Sequence, residues 1–184
     1  MAQRDTSRLY LFLEGKQVHH PCQEIEGIVE PVDVFFSRAL VLREKLGAIL
    51  WQLPPSLKAD PARLADFLGL IRPYKARNVF EFREETWISK KVISLLEREG
   101  VCLCMADWPP FLEELPVTAD FVYIRRHGEG GSYATLYSAE KIKADAARIR
   151  KYLRQRKDVF IYFNNDAFGY ACRNALELAD MLKK

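Results

Sequence analysis

Short apolar runs rich in β-branched and aromatic residues alternate along this chain with longer segments whose apolar positions recur every three or four residues. The runs at 9–13, 48–53, 78–82, 101–105, 121–125 and 159–163 predict strands. Between them the periodicity predicts helices. Pro31 opens one through about Lys45, with Val34, Phe35, Ala39 and Leu42 on one side and Gly47 as its C-cap. Asp60-Pro61 starts a second through Leu70, and Ser89 caps a third through Glu99 that stops at Gly100. Ser138 and Lys141 begin a long helix carrying Ile149, Tyr152 and Leu153, and Ala171, Ala175, Leu178 and Leu182 mark the last. Runs such as VCLCM and FVYI are apolar on both sides, as in a parallel sheet covered by helices. Both a (β/α) barrel and an open doubly wound sheet fit this α/β pattern. No GxGxxG fingerprint is present, and the loop 128–137 lacks the spacing of a phosphate loop, so its glycines predict mobility.

In parallel α/β folds the C-terminal ends of the strands gather at one rim. The strand exits supply Gln52, Glu81 with Arg83, Asp107, Arg125 with His127, and Asn164 with Asp166. A period of two puts Val79, Glu81 and Arg83 on one side of their strand and Phe80 and Phe82 on the other. Each polar residue has a structural alternative: Glu81 and Arg83 as an ion pair, Asp107 as a loop cap, His127 bonded to a carbonyl. Polar groups at the same end of five successive apolar strands point instead to a shared site, because burying them costs free energy that a core avoids. Glu81, Asp107 and Asp166 suit general acid or base chemistry or a divalent cation, whereas Arg83, Arg125 and His127 suit an anion. Trp87, Trp108 and Tyr137 follow the same strands and are candidates to wall the site. Convergent carboxylate and imidazole are too few to assign a metal, and no cofactor is assigned.

Composition narrows the class. The 184 residues, 49% hydrophobic and 29% charged, suit one soluble domain spanning 1–184. No apolar run reaches the length of a membrane span, and MAQRDTSR lacks the apolar core of a signal peptide, so the expectation is a cytoplasmic protein. Cys22, Cys102, Cys104 and Cys172 show no metal spacing and read as reduced thiols. A net charge of +3 is too small to argue for nucleic acid, and the basic stretch 148–157 reads as a solvated helix face. The adjacent His19 and His20 are weak evidence for metal, since neighbouring side chains point apart.

Several motifs in order carry a family resemblance: LGAILWQLPPS at 46–56, FEFREETW at 80–87, TADFVYIRRHG at 118–128, Tyr137-Ser138, and DVFIYFNNDAFGYACRNA at 158–175. The chain resembles the YecE-like family of proteins of unknown function. That resemblance implies a TIM-type barrel with Gln52, Glu81, Arg83, Trp87, Arg125, His127, Asn164, Asn165 and Asp166 at or near its C-terminal mouth. It implies no established reaction. The family's RLHG pattern reads Arg125-Arg126-His127-Gly128 here, Leu13 stands where the family has a lysine, and His20 falls at its histidine position. The family's first two strands have no counterpart, leaving roughly six of the eight strands of a closed barrel. The expectation is therefore an incomplete parallel barrel whose open edges self-associate or recruit a partner chain. Functionally, the expectation is an enzyme acting on a small anionic, phosphorylated or sugar-like substrate, with Glu81 or Asp166 as acid or base, Arg83 and Arg125 on the anion, and His127 moving a proton. The alternatives are a binding module for a nucleic-acid backbone or protein partner, and a structural remnant.

Overall fold

A strand that is apolar on both faces has to be covered on both. The computed structural model, which describes residues 11–14 and 26–183, provides that cover with helices on one face of its parallel strands and aromatic side chains on the other. The elements run β1 (Leu11–Glu14), α1 (Glu26–Ala39), β2 (Leu46–Gln52), α2 (Pro61–Ile71), β3 (Asn78–Glu81), α3 (Lys90–Glu99), β4 (Cys102–Leu103), β5 (Met105–Ala106), β6 (Phe121–Arg126), α4 (Ala139–Arg154), β7 (Asp158–Phe163) and α5 (Tyr170–Leu182). Every pairing is parallel, in the orders β1-β2-β3-β4 and β5-β6-β7. Only Cys104 separates β4 from β5, and its N–H donates to the Phe80 carbonyl at 2.8 Å. The segment therefore leaves β3 and joins β6 in one pass, and each expected strand has its counterpart. The end strands β1 and β7 do not pair with each other among the described residues, so the fold is α/β with parallel strands in two sheets, and no closed barrel is seen.

Alternation along the strands sorts the core. Leu50, Val79, Cys102, Cys104, Phe121 and Tyr123, with Phe160 and Tyr162, pack together on the face without helices. Ile49, Phe80 and Phe82 point the other way, under Phe36 of α1, Leu64 and Leu68 of α2 and Leu96 of α3. Val122 and Ile124 meet Ile142, Ala146 and Ile149 of α4 and Leu178 of α5. At the start of the strands the Arg77 guanidinium lies over the rings of Phe121 and Phe160 and pairs with Asp158 at 2.7 Å.

Local capping chemistry sets the helix starts. Asp60 accepts from the Arg63 N–H with Pro61 in the first turn, Ser89 accepts from the Val92 N–H, and Ser138 accepts from the Lys141 N–H. Gly100 ends α3 in the left-handed conformation at φ 63°. The first helix differs from expectation. It begins at Glu26, holds Pro31 inside it and stops at Ala39. A 3₁₀ turn, Leu40–Lys45, follows with Arg43 at φ 50°, and Gly47 is a buried residue of β2 rather than a cap. The apolar run from Leu46 pairs with β1 as a strand, so the reversal falls earlier, on Arg43. His19, His20 and Cys22 lie outside the described residues.

Candidate functional site

Register sets the level at which the polar residues meet. Gln52 and Glu81 are direct partners across β2 and β3, while Arg125 sits between Ala106 and Tyr162. Alternation turns Gln52, Glu81 and Arg125 to the helix-free face, beyond its apolar layer. Glu81 is fully buried there. Its Oε2 accepts from Arg125 Nη1 at 2.7 Å, and its Oε1 lies 2.5 Å from Arg83 Nη2. Gln52 Oε1 accepts from Arg125 Nη1 at 3.0 Å and from Arg83 Nη2 at 3.5 Å. Arg125 Nε donates to Asn164 Oδ1 at 3.2 Å, and Arg83 Nη1 donates to the Trp108 carbonyl at 3.1 Å. One carboxylate thus faces two guanidinium groups, Arg125 through a charge-assisted hydrogen bond and Arg83 through an ion pair. The Cys104 thiol lies 3.8 Å from Glu81, and burial, reinforced by that carboxylate, pushes it well above its ordinary pKa.

A second network adjoins the first through Arg83. Its Nη2 is 3.0 Å from His127 Nε2. A guanidinium can only donate, so Nε2 accepts and the imidazole proton sits on Nδ1, which faces Asp107 Oδ1 at 3.5 Å. Asp107 Oδ1 also accepts from the His127 backbone N–H at 2.8 Å, and its Oδ2 accepts from the Tyr137 hydroxyl, which in turn accepts from the Gly128 N–H. Burial alone would raise the Asp107 carboxyl; the bonds from His127 and Tyr137, with the charge of Arg126, outweigh it and hold the group below its ordinary pKa. Asp107 therefore contributes stability above the unfolded value near pH 4, and that contribution is lost as pH falls through the lower folded value. Urea midpoints between about pH 2 and 6 are expected to fall more steeply on the acid side for the native chain than for Asp107→Asn; parallel curves would show that the carboxylate is not stabilised this way.

The loop after β6, whose glycines predict mobility, is tied by hydrogen bonds at several points. Tyr133 N–H donates to the His127 carbonyl at 2.8 Å, Glu129 N–H to Thr135 Oγ1 at 2.6 Å, and Asn165 Nδ2 to the Thr135 carbonyl at 2.8 Å. A Cβ at Gly131 would lie 2.6 Å from the Trp108 ring, so hydrogen alone fits there.

Gln52, Glu81, Arg83, Arg125 and Asn164 thus come together, and Asp107, His127 and Tyr137 join them. The other expected residues lie elsewhere. Trp87 is in the core, stacked on Phe82 with centroids 4.8 Å apart and its indole N–H on the Leu57 carbonyl. Asn165 is buried against Thr135 and Asn174, tying the loop to α5, and Asp166 is exposed. Sequence reasoning missed the buried Arg126–Asp145 pair and Asn174. Position 145 does fall on the face marked by Ile142 and Ile149, and position 174 lies four before Leu178, so the helical period held both signals.

The family model described as a protein of unknown function, DUF72, matches residues 14–184. The chain belongs to the DUF72 family. Its fold is similar to that of a DUF72 family protein from Thermotoga maritima MSB8, at 27% identity and TM-score 0.73, covering 86% of this chain and 68% of that one. Two crystal structures of a DUF72 family protein from Enterococcus faecalis V583 are similar in fold, one at 20% identity and TM-score 0.72 over 92% of this chain and 70% of that, the other at 24% and 0.67 over 83% and 68%. No curated protein matches. In this DUF72 chain no group of three His, Cys, Asp or Glu side chains is placed to hold a metal among the described residues, and no described helix is long and apolar enough to cross a membrane.

Proposed function

We propose that this DUF72 chain binds a small anionic ligand, phosphorylated or sugar-like, at the C-terminal ends of β2, β3, β6 and β7, and acts on it there. The observation that carries this reading is the pair of guanidinium groups on one buried carboxylate. Glu81 offsets one positive charge and leaves one over, while Asp107 takes donors of its own from His127 and Tyr137. Glu81 has no exposure, whereas the Arg83 side chain keeps 11%.

The second network supplies the chemistry. An anion that draws Arg83 outward releases the lone pair of His127 Nε2, and Asp107 behind Nδ1 stabilises the imidazolium that forms when the ring takes a proton. Glu81, clamped from both sides, serves as the counter-charge that positions the arginines, and Arg125 and Asn164 fix the far side of the ligand.

Calorimetric titration of inorganic phosphate tests the binding half. The native chain is expected to bind, and Arg83→Ala to weaken binding about 10- to 100-fold, the worth of one charge-assisted hydrogen bond. Arg83→Lys keeps the charge without the fork and is expected to fall between them. Unchanged affinity in Arg83→Ala would overturn the assignment, and an affinity that collapses with a salt slope of several charges would favour a nucleic-acid backbone instead.

A further inference from the structure

Three large aromatic side chains in the loops after the strand ends are exposed: Trp108 at 39%, Tyr133 at 44% and Phe168 at 83%. Each follows the end of a different strand, β5, β6 and β7, and the three loops are bonded to one another and to the site. The Trp108 carbonyl takes the Arg83 guanidinium, and Gly131 packs on the Trp108 ring. The Tyr133 ring stands edge-on to His127 with centroids 5.6 Å apart, and the Tyr133 carbonyl accepts from the N–H of Ala167, the residue before Phe168. One guanidinium therefore reaches toward both the Trp108 and Tyr133 segments, through its Nη1 on Trp108 and its Nη2 on His127.

Two of these rings have aromatic neighbours, Tyr133 at His127 and Phe168 tilted on Tyr170 with centroids 5.7 Å apart. Tyr133 has φ 59° and Phe168 φ 62°, in the left-handed region that opposes any residue with a Cβ. Strained backbone and solvent-exposed rings both oppose folding, yet both occur in the loops that follow β6 and β7.

We propose that Trp108, Tyr133 and Phe168 form a ring-binding subsite, so that the ligand of this chain is a phosphate carried on a ring. This rests on the reading that Arg83 and Arg125 hold the anion. Exposed aromatic faces stack on a planar heterocycle or on the C–H face of a sugar, and in either case the ring extends from the anion toward solvent, where these side chains stand.

The experiment compares calorimetric affinities of the native chain for inorganic phosphate, glucose 6-phosphate and adenosine 5′-monophosphate. At least one ring phosphate is expected to bind about tenfold or more tighter than inorganic phosphate, and the tighter of the two identifies a sugar or a heterocycle as the ring. Phe168→Ala, at a side chain that is almost wholly in water, is expected to shrink that preference several-fold, and adding Tyr133→Ala to bring it to about one. Inorganic phosphate binding as tightly as both ring phosphates would overturn the subsite while leaving the anion site standing. A preference undiminished in Phe168→Ala and in the double variant would also overturn it. Failure of all three ligands to bind would remove the anion site and the ring subsite together.

Discussion

Replacing Arg126 with leucine is expected to destabilise the fold by about 3–5 kcal/mol, the cost of stranding one partner of a buried ion pair. Arg126 has no exposed surface; its Nε donates to Asp145 Oδ2 at 2.8 Å and its Nη2 to Oδ1. Burial alone would lower the guanidinium pKa, but the bonds and charge of Asp145 outweigh it and raise the value above the ordinary one, so the cation persists at every accessible pH. Leucine leaves Asp145 on α4 as a buried carboxylate with nothing to neutralise it. The double replacement Arg126→Leu with Asp145→Leu removes both charges and is expected to match the native stability or exceed it by about 1–4 kcal/mol. Urea denaturation of the three proteins with a common m-value checks this. Equal losses in the single and double variants would show that Arg126 acts through packing of its stem rather than through its charge. The family resemblance gives the result added meaning, because an apolar residue at this position is what the RLHG pattern contains. In this chain Asp145 pairs with the arginine.

That pair also marks where the sequence stops being readable. Caps were legible because their chemistry is local: Asp60, Ser89 and Ser138 each bond a backbone N–H three residues on. Side-chain alternation was legible for the same reason, and it placed Val79, Glu81 and Arg83 on one face correctly. The Arg126–Asp145 bond joins a strand to a helix, so neither local period names its partner, although position 145 lies on the buried face of α4. Gly47 misled because a glycine after a helical run reads as a cap. The pairing of Leu46 with β1 turned it into a strand residue, and Arg43 took the reversal.

At the site the difficulty lay in the residues just past the strand ends, where a period of two no longer holds. Asn164, Asn165 and Asp166 read as one polar corner, yet they point three ways: into the arginine network, into the loop anchored on Asn174, and into solvent. Trp87 is the last residue of a 3₁₀ turn, Glu85–Trp87, that rotates its ring back onto Phe82 in the core. Tyr133 and Phe168 gave no signal at all, because a left-handed backbone at an aromatic residue is imposed by the loop around it. The Glu81–Arg83 pair was readable as a rim ion pair and as a binding site, and its geometry serves both readings.

Glu81→Gln separates those two readings. Glutamine keeps the shape and removes the charge, so the Arg83 and Arg125 side chains, 11% and 7% exposed, are left close together without a counter-ion. The expected loss is about 3–5 kcal/mol, as for any buried pair broken from one side. If these guanidinium groups form an anion site, phosphate will replace the missing carboxylate, and it will bind the variant more tightly than the native chain because Glu81 no longer competes for the same donors. Ligand linkage then returns roughly 2.7 kcal/mol at a phosphate concentration a hundred times the dissociation constant. In thermal melts the variant is expected to gain more from phosphate than the native chain, with chloride at matched ionic strength separating specific binding from screening. A variant that is unfolded without phosphate and folded with it would give the same answer in stronger form. If phosphate and chloride act alike on it, Glu81 is a structural keystone that orients two arginines for the fold alone, and the site is not built to receive an anion.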